Sequence, residues 1–139
     1  MTAESATLGA ATASLTFANP RFDESGHAHL DVRLQAAGLD ALLGFYAHDP
    51  EEIVQYFRSL DEGWRGWTGE RCFESIERDV VLSARHGRRI EISVMLTAEA
   101  DRAVSTEARW SCTAVVSVEA GEQLSRFVRD IEDLARRSR

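Results

Sequence analysis

Between Ala108 and Val118 the even positions read Ala108, Trp110, Cys112, Ala114, Val116 and Val118, with Arg109, Ser111, Thr113, Val115 and Ser117 between them. Alternation of this length puts one face of an extended strand in a core and turns the other to water; helical spacing fits it worse. A strand buried on both faces would be an unbroken apolar run, so this one belongs to an antiparallel sheet, with Trp110 expected on the buried face. Something else in the chain must then cover that apolar side.

Shorter stretches repeat the pattern. Ser14 to Asn19 reads as a strand stopped by Pro20, followed by a turn-rich connection from Arg21 to Gly26. His27 to Gln35 sets Ala28, Leu30, Val32 and Leu34 against His29, Asp31, Arg33 and Gln35. After Ala37-Gly38, Leu42 to Ala47 makes a third strand, in which Gly44 marks a bulge. In the second half, Arg71 to Arg85 reads as one bent strand or two collinear ones, with Ile76, Val80, Leu82 and Ala84 sharing a parity. His86-Gly87 supplies a tight turn, Ile90, Ile92, Val94 and Leu96 return on one face, and a polar loop through Glu99-Ala100-Asp101 leads to the long strand.

Two helices provide the cover. Asp49-Pro50-Glu51-Glu52 is a helix start: Asp49 caps, Pro50 occupies a position where its missing N–H costs nothing, and Glu52 is placed to close a capping box. Ile53, Phe57, Leu60 and Trp64 form one apolar stripe, and Gly63 is the expected break. After Glu119-Ala120-Gly121, a closing helix carries Leu124, Phe127, Val128, Ile131 and Leu134, with Glu122–Arg126, Arg126–Asp130 and Asp133–Arg137 spaced as ion pairs on its far face. It is expected to cover the long strand. The fold class is therefore α+β: a meandering antiparallel sheet of about six strands, in strand-strand-strand-helix-strand-strand-strand-helix order, with both helices packed on one face. Met1 to Ala13 lacks large apolar side chains and reads as a flexible tail, leaving residues 14–139 as the single domain.

Composition narrows the function. No apolar run approaches the ~20 residues that span a bilayer, and the first residues lack the basic and Leu-rich segments of a secretory signal, so a cytoplasmic protein with no membrane partner is expected. Cys72 and Cys112 are too few and too far apart for a disulfide framework, and read as reduced core thiols. A net charge of −7, with every basic residue an Arg, disfavours nucleic acid and suits a basic protein partner.

Few residues advertise chemistry. His27-x-His29-x-Asp31 places two imidazoles on one strand face, but no third ligand follows at metal-binding spacing, so no metal is expected. Glu74, Glu77 and Asp79 read as a solvated edge in preference to a buried acid–base pair. Arg85-His86-Gly87-Arg88-Arg89 surrounds a hairpin tip with guanidinium groups able to grip a carboxylate. In Trp64-Arg65-Gly66-Trp67 the first indole completes the helix stripe and reads as core, while Trp67 lies beyond it and reads as an exposed anchor. No nucleophile elbow, Cys–His arrangement or Gly-rich phosphate loop is present.

Trp64-x-Gly66, Phe73-x-Ser75-Ile76-Glu77-x-Asp79, Leu82-x-Ala84-x-His86-Gly87, Ile90 to Leu96, Trp110 and Val118-Glu119-x-Gly121-Glu122-x-Leu124 together resemble an uncharacterised family of small actinobacterial proteins, a domain of unknown function. The resemblance spans Leu15 to Leu134 and implies a fold, with no activity or catalytic residue attached. Arg88 and Arg89 depart from it, standing where such families often read Gly-His. A sheet bearing a Trp, with an acidic run before a closing helix, is also similar to immunity proteins of polymorphic toxin systems. The expectation is a non-enzymatic protein-interaction domain, with an immunity-type binder of a basic partner as its sharpest form. Trp67, Arg65, Glu74, Arg88 and Arg89 are the candidate interaction residues, no cofactor is needed, and a homodimer through a sheet edge is open. The alternative is a small-molecule-binding module whose apolar pocket, between sheet and helices, is ringed by Trp110, Phe45 and Phe127.

Overall fold

The computed structural model describes residues 4–98 and 109–137, so Ala108 and the Glu99-Ala100-Asp101 loop lie outside the described residues. It is α+β, but the strands form two antiparallel sheets of four in place of a single sheet of about six. The first is a meander of β1 (Ser5–Ala10), β2 (Ala13–Phe22), β3 (Ala28–Ala36) and β4 (Leu39–His48); α1 (Pro50–Glu62) follows. The second is a meander of β5 (Glu70–Glu74), β6 (Val80–His86), β7 (Ile90–Ala98) and β8 (Trp110–Val118), closed by α2 (Glu122–Arg137).

Two additions account for the difference. Arg71 to Arg85 is a hairpin, because the chain reverses between Ser75 and Asp79, where Arg78 takes a left-handed φ of 63°. The buried Ser75 holds that reversal: its Oγ donates to Asp79 Oδ1 at 2.5 Å and accepts from Val80 N at 3.0 Å. The second addition is β1, in the segment that reads as a tail. Ala6 and Leu8 are fully buried, and the strand is built of small residues because it passes so close to its neighbours. A Cβ on Gly9, whose φ is +115°, would stand 2.3 Å from Ala13 O and 2.9 Å from Val116 Cγ1 of β8. The domain thus begins before residue 14.

The core forms where the inward faces meet. Leu15 and Phe17 of β2, Leu30, Val32 and Leu34 of β3, and Phe45 of β4 point the same way, set by the register that pairs Phe17 with Val32 and Leu30 with Phe45. Phe57 of α1 and Phe127 of α2 lie against Phe17, with ring centroids 6.0 and 6.3 Å away, and against each other at 4.8 Å. Leu82, Ile92, Val94 and Val116 bring the second sheet into the same cluster. The main neighbours of α2 are α1, β1 and β2, so the closing helix covers the first sheet and not chiefly the long strand.

Several local readings hold and others shift. Asp49 caps α1, with Oδ1 accepting from Glu51 N at 3.0 Å, and Pro50 opens the helix. Pro20 lies inside β2, tolerated at a register shift between Ala18 and Arg21. Gly44 is not a bulge: the shift in β3–β4 pairing falls at Ala28/His29, and Gly44 instead leaves room for Arg21 and Asp31, whose atoms would lie 2.8 and 3.2 Å from its Cβ. Trp110 is 36% exposed, since burial along its face of β8 grows only toward Val116 and Val118, where β1 crosses. Cys112 is half-buried and Cys72 is exposed on the outer face of β5, so Cys72 is not a core thiol.

Because Leu8 is sealed between β1, β2 and the core, Leu8→Ala should destabilise the domain by about 3 kcal/mol, the cost of a core cavity. Urea unfolding measures it; an unchanged midpoint would return the segment to the status of a tail.

Candidate functional site

At one end of the first sheet, its outward face gathers three of the chain's four histidines around one tyrosine. Register does this: β3 runs antiparallel to β4 with His29 opposite Tyr46 and Ala28 opposite His48. The rings of His27, His29 and His48 stand 5.3, 5.7 and 5.9 Å from that of Tyr46, the first two tilted to it and the third edge-on. Tyr46 Oη and His48 Nδ1 share a hydrogen bond of 3.1 Å. His48 takes a φ of 55°, a left-handed conformation that costs a side-chain-bearing residue energy and clusters at functional sites. A surface cleft of about 440 Å3 opens here, walled by Phe22, His27, Tyr46, His48, Asp49 and Pro50.

The turn from Asp23 to His27 fixes one wall. Asp23 Oδ1 accepts from Ser25 N and His27 N at 2.9 and 3.0 Å, and Oδ2 pairs with His29 Nε2 at 2.9 Å. The His27 backbone N–H, then the His29 side chain, favour the carboxylate and hold its pKa down at about 2, against an ordinary 3.8. Beyond this wall, Arg21 is tied to Asp31 Oδ1 at 2.9 Å and to Asn19 O at 3.0 Å, which keeps its guanidinium out of the cleft. Among the described residues no group of three or more His, Cys, Asp or Glu side chains is placed to hold a metal ion.

The two indoles of the Trp64–Trp67 segment exchange the roles the sequence suggests. Trp64 is 56% exposed, with the Arg65 guanidinium 4.9 Å over its ring. Trp67 is half-buried against the core: Nε1 donates to Ala84 O at 3.2 Å, Arg71 lies 4.6 Å over its ring, and His86 meets it edge-on at 5.0 Å. Gly63 is bare for want of space, since a Cβ there would stand 2.8 Å from Arg71 Nη1 and 2.9 Å from Trp67 Cε3. His86 Nε2 lies 3.0 Å from Trp64 O, tying the helix exit to the β6–β7 hairpin. Arg89 of that hairpin binds Ser117 Oγ and Glu119, whereas Arg88 is exposed. Glu74 is far from acid–base geometry: it pairs with Arg78 at 2.6 Å while Asp79 is held by Ser75.

Fold and surface together define a class: a small α+β domain of two four-stranded antiparallel sheets and two helices around one aromatic core, with three of its four histidines drawn to one outer edge. The chain belongs to a family of unknown function, DUF6228, which matches residues 6–138 and so takes in β1. None of the curated proteins compared with it matches. No helix among the described residues is long and apolar enough to cross a membrane.

Of the residues singled out in the sequence, His27 lines this cleft and His29 stands behind it on Asp23, while Arg65, Arg88 and Arg89 lie on the two segments that His86 joins beyond the C-terminal end of α1, and Glu74 stands apart. Tyr46 and His48 were missed, although both lie on the polar parity of a strand that Phe45 and Leu43 define.

Two measurements check this description. Trp67→Ala should cost about 2 kcal/mol of stability, whereas Trp64→Ala should leave the melt within about 0.5 kcal/mol; the reverse order would restore Trp67 as the surface indole. Because the folded-state pKa of Asp23 lies below its ordinary value, its contribution to stability is present above pH 3.8 and is lost as pH falls through about 2. Carboxyl-carbon NMR should show Asp23 titrating near the lower value, and His29→Ala should raise it; titration at the ordinary value in the parent would contradict the Asp23–His29 pairing.

Proposed function

We propose that this chain is a non-enzymatic protein-interaction domain, an immunity-type binder of a basic partner. The observation that carries this reading is the filled space between the first sheet and the helices. Phe45 and Phe127, expected to ring a ligand pocket in the alternative reading, are almost wholly buried, and together with Phe17 and Phe57 they occupy that space with ring contacts of 4.8–6.3 Å. Trp110 stands apart at the surface. With that space filled, the reading turns to the surface, and over the whole sequence acid is in excess: 23 Asp and Glu against 16 Arg.

Charge also chooses the side. Arg65 lies over Trp64, and Arg88 is exposed on the hairpin that His86 ties to Trp64 O; neither has a carboxylate partner among the described residues, which makes that edge unfavourable to a basic partner. The outer end of the first sheet, with Asp23 and Asp49 at its cleft, attracts one. Capture from lysate of the source cell, followed by reconstitution with the purified partner, tests the reading. A one-to-one complex with a basic protein is expected, associating at least ~10-fold more slowly at about 500 mM than at about 50 mM salt. Retention of only nucleic acid or a small molecule, or a complex indifferent to salt, would overturn it.

A further inference from the structure

We propose that the cleft around Tyr46 receives an arginine side chain of a protein partner, seated against the aromatic rings and balanced by Asp23 and Asp49. The inference deepens the reading above and rests on it for the partner's character.

Three features select a cation over other occupants. The walls are aromatic: Phe22 is 44% exposed, and Tyr46 is flanked by the tilted ring of His27 and the edge-on ring of His48. A guanidinium is drawn to such faces by the ring quadrupole and is planar enough to stack on them. The fixed charges nearby are carboxylates, Asp49 in the wall and Asp23 behind His29, and the one neighbouring guanidinium, Arg21, is already committed to Asp31. An anion would meet two negative charges with no cation to offset them. A metal ion finds its donors engaged, since His29 Nε2 faces Asp23 and His48 Nδ1 faces Tyr46 Oη.

The cleft's shape suits one side chain better than a free ligand. About 440 Å3 of open space accepts a guanidinium and part of its aliphatic stem, whereas sites that hold small molecules bury most of the ligand surface. The cleft is also held ready. Asp23 locks the turn that carries His27, and the left-handed His48 places its ring under Tyr46 Oη while delivering Asp49 to cap α1. Binding therefore needs little rearrangement, which spares the ordering cost that weakens mobile sites.

The test is a 15N–1H NMR titration of the full chain with Nα-acetyl-arginine methylamide, with the citrulline analogue as neutral control and inorganic phosphate as anion control. Arginine should shift amides of residues 22–28 and 46–49 saturably, with citrulline and phosphate leaving them in place. Tyr46→Phe, which keeps the ring and loses the bond to His48, should weaken binding by no more than about twofold, and Tyr46→Leu should lose about fivefold. Phe22→Leu, remote from the Tyr46–His48 bond, should also weaken binding and guards against a merely local disturbance at His48. Absence of shifts in the cleft, equal shifts with citrulline, or a response to phosphate instead would each overturn the inference. A basic partner that binds the parent and Tyr46→Leu equally well would also sink it while leaving the interaction reading intact. Conversely, saturable arginine binding in the cleft alongside failure to capture any basic protein would sink that reading and leave the cleft chemistry standing.

Discussion

Everything in this fold depends on how closely β1 passes β8. The approach of Gly9 to Val116, with no room for even a methyl group between them, is what lets two separate sheets share one interior. Each four-stranded sheet alone has one apolar face, and two helices do not suffice to cover both. Where β1 and β2 meet β8 the inward faces join, and the aromatic cluster of Phe17, Phe45, Phe57 and Phe127 fills the space under the helices. Gln123 Nε2 donates to Gly9 O at 2.7 Å, so α2 fastens the same point from a third direction.

This constraint explains what could be read in the sequence and what could not. Alternation located β3, β4, β6, β7 and β8 to within a few residues, and the Asp49-Pro50 signature located α1, because both signals depend only on neighbours along the chain. The β1 strand was hidden because its burial is a matter of close approach: Ala, Thr and Gly are chosen there for what they lack, and small residues also compose a tail. Trp64 misled for a related reason. Its place on the apolar stripe holds only if the helix continues, but α1 ends at Glu62, and past Gly63 the chain no longer turns 100° per residue. Gly66, at φ +123°, then folds Trp67 back onto β6.

The cleft was half legible. His27-x-His29 stands out in the sequence as a pair on one strand face. That Tyr46 and His48 sit beside them follows from the β3–β4 register, which the two-residue Ala37-Gly38 link fixes. The register shift at Ala28/His29 was not visible, and with it His48 stands opposite Ala28. Sequence patterns report which face a residue takes; they do not report the small offsets that turn a row of polar side chains into a concave site.

Both sheets are meanders of consecutive strands, so β1 to β4 can pair before the second half of the chain has been made. The apolar face of that early sheet nevertheless waits for Phe127 and its neighbours in α2, the later of the two described helices. Until α2 has been made, the nascent chain carries an assembled but uncovered sheet, the kind of species that exposes hydrophobic surface to aggregation. A pause on the ribosome between β4 and α2 would therefore be more hazardous to this protein than one within β1.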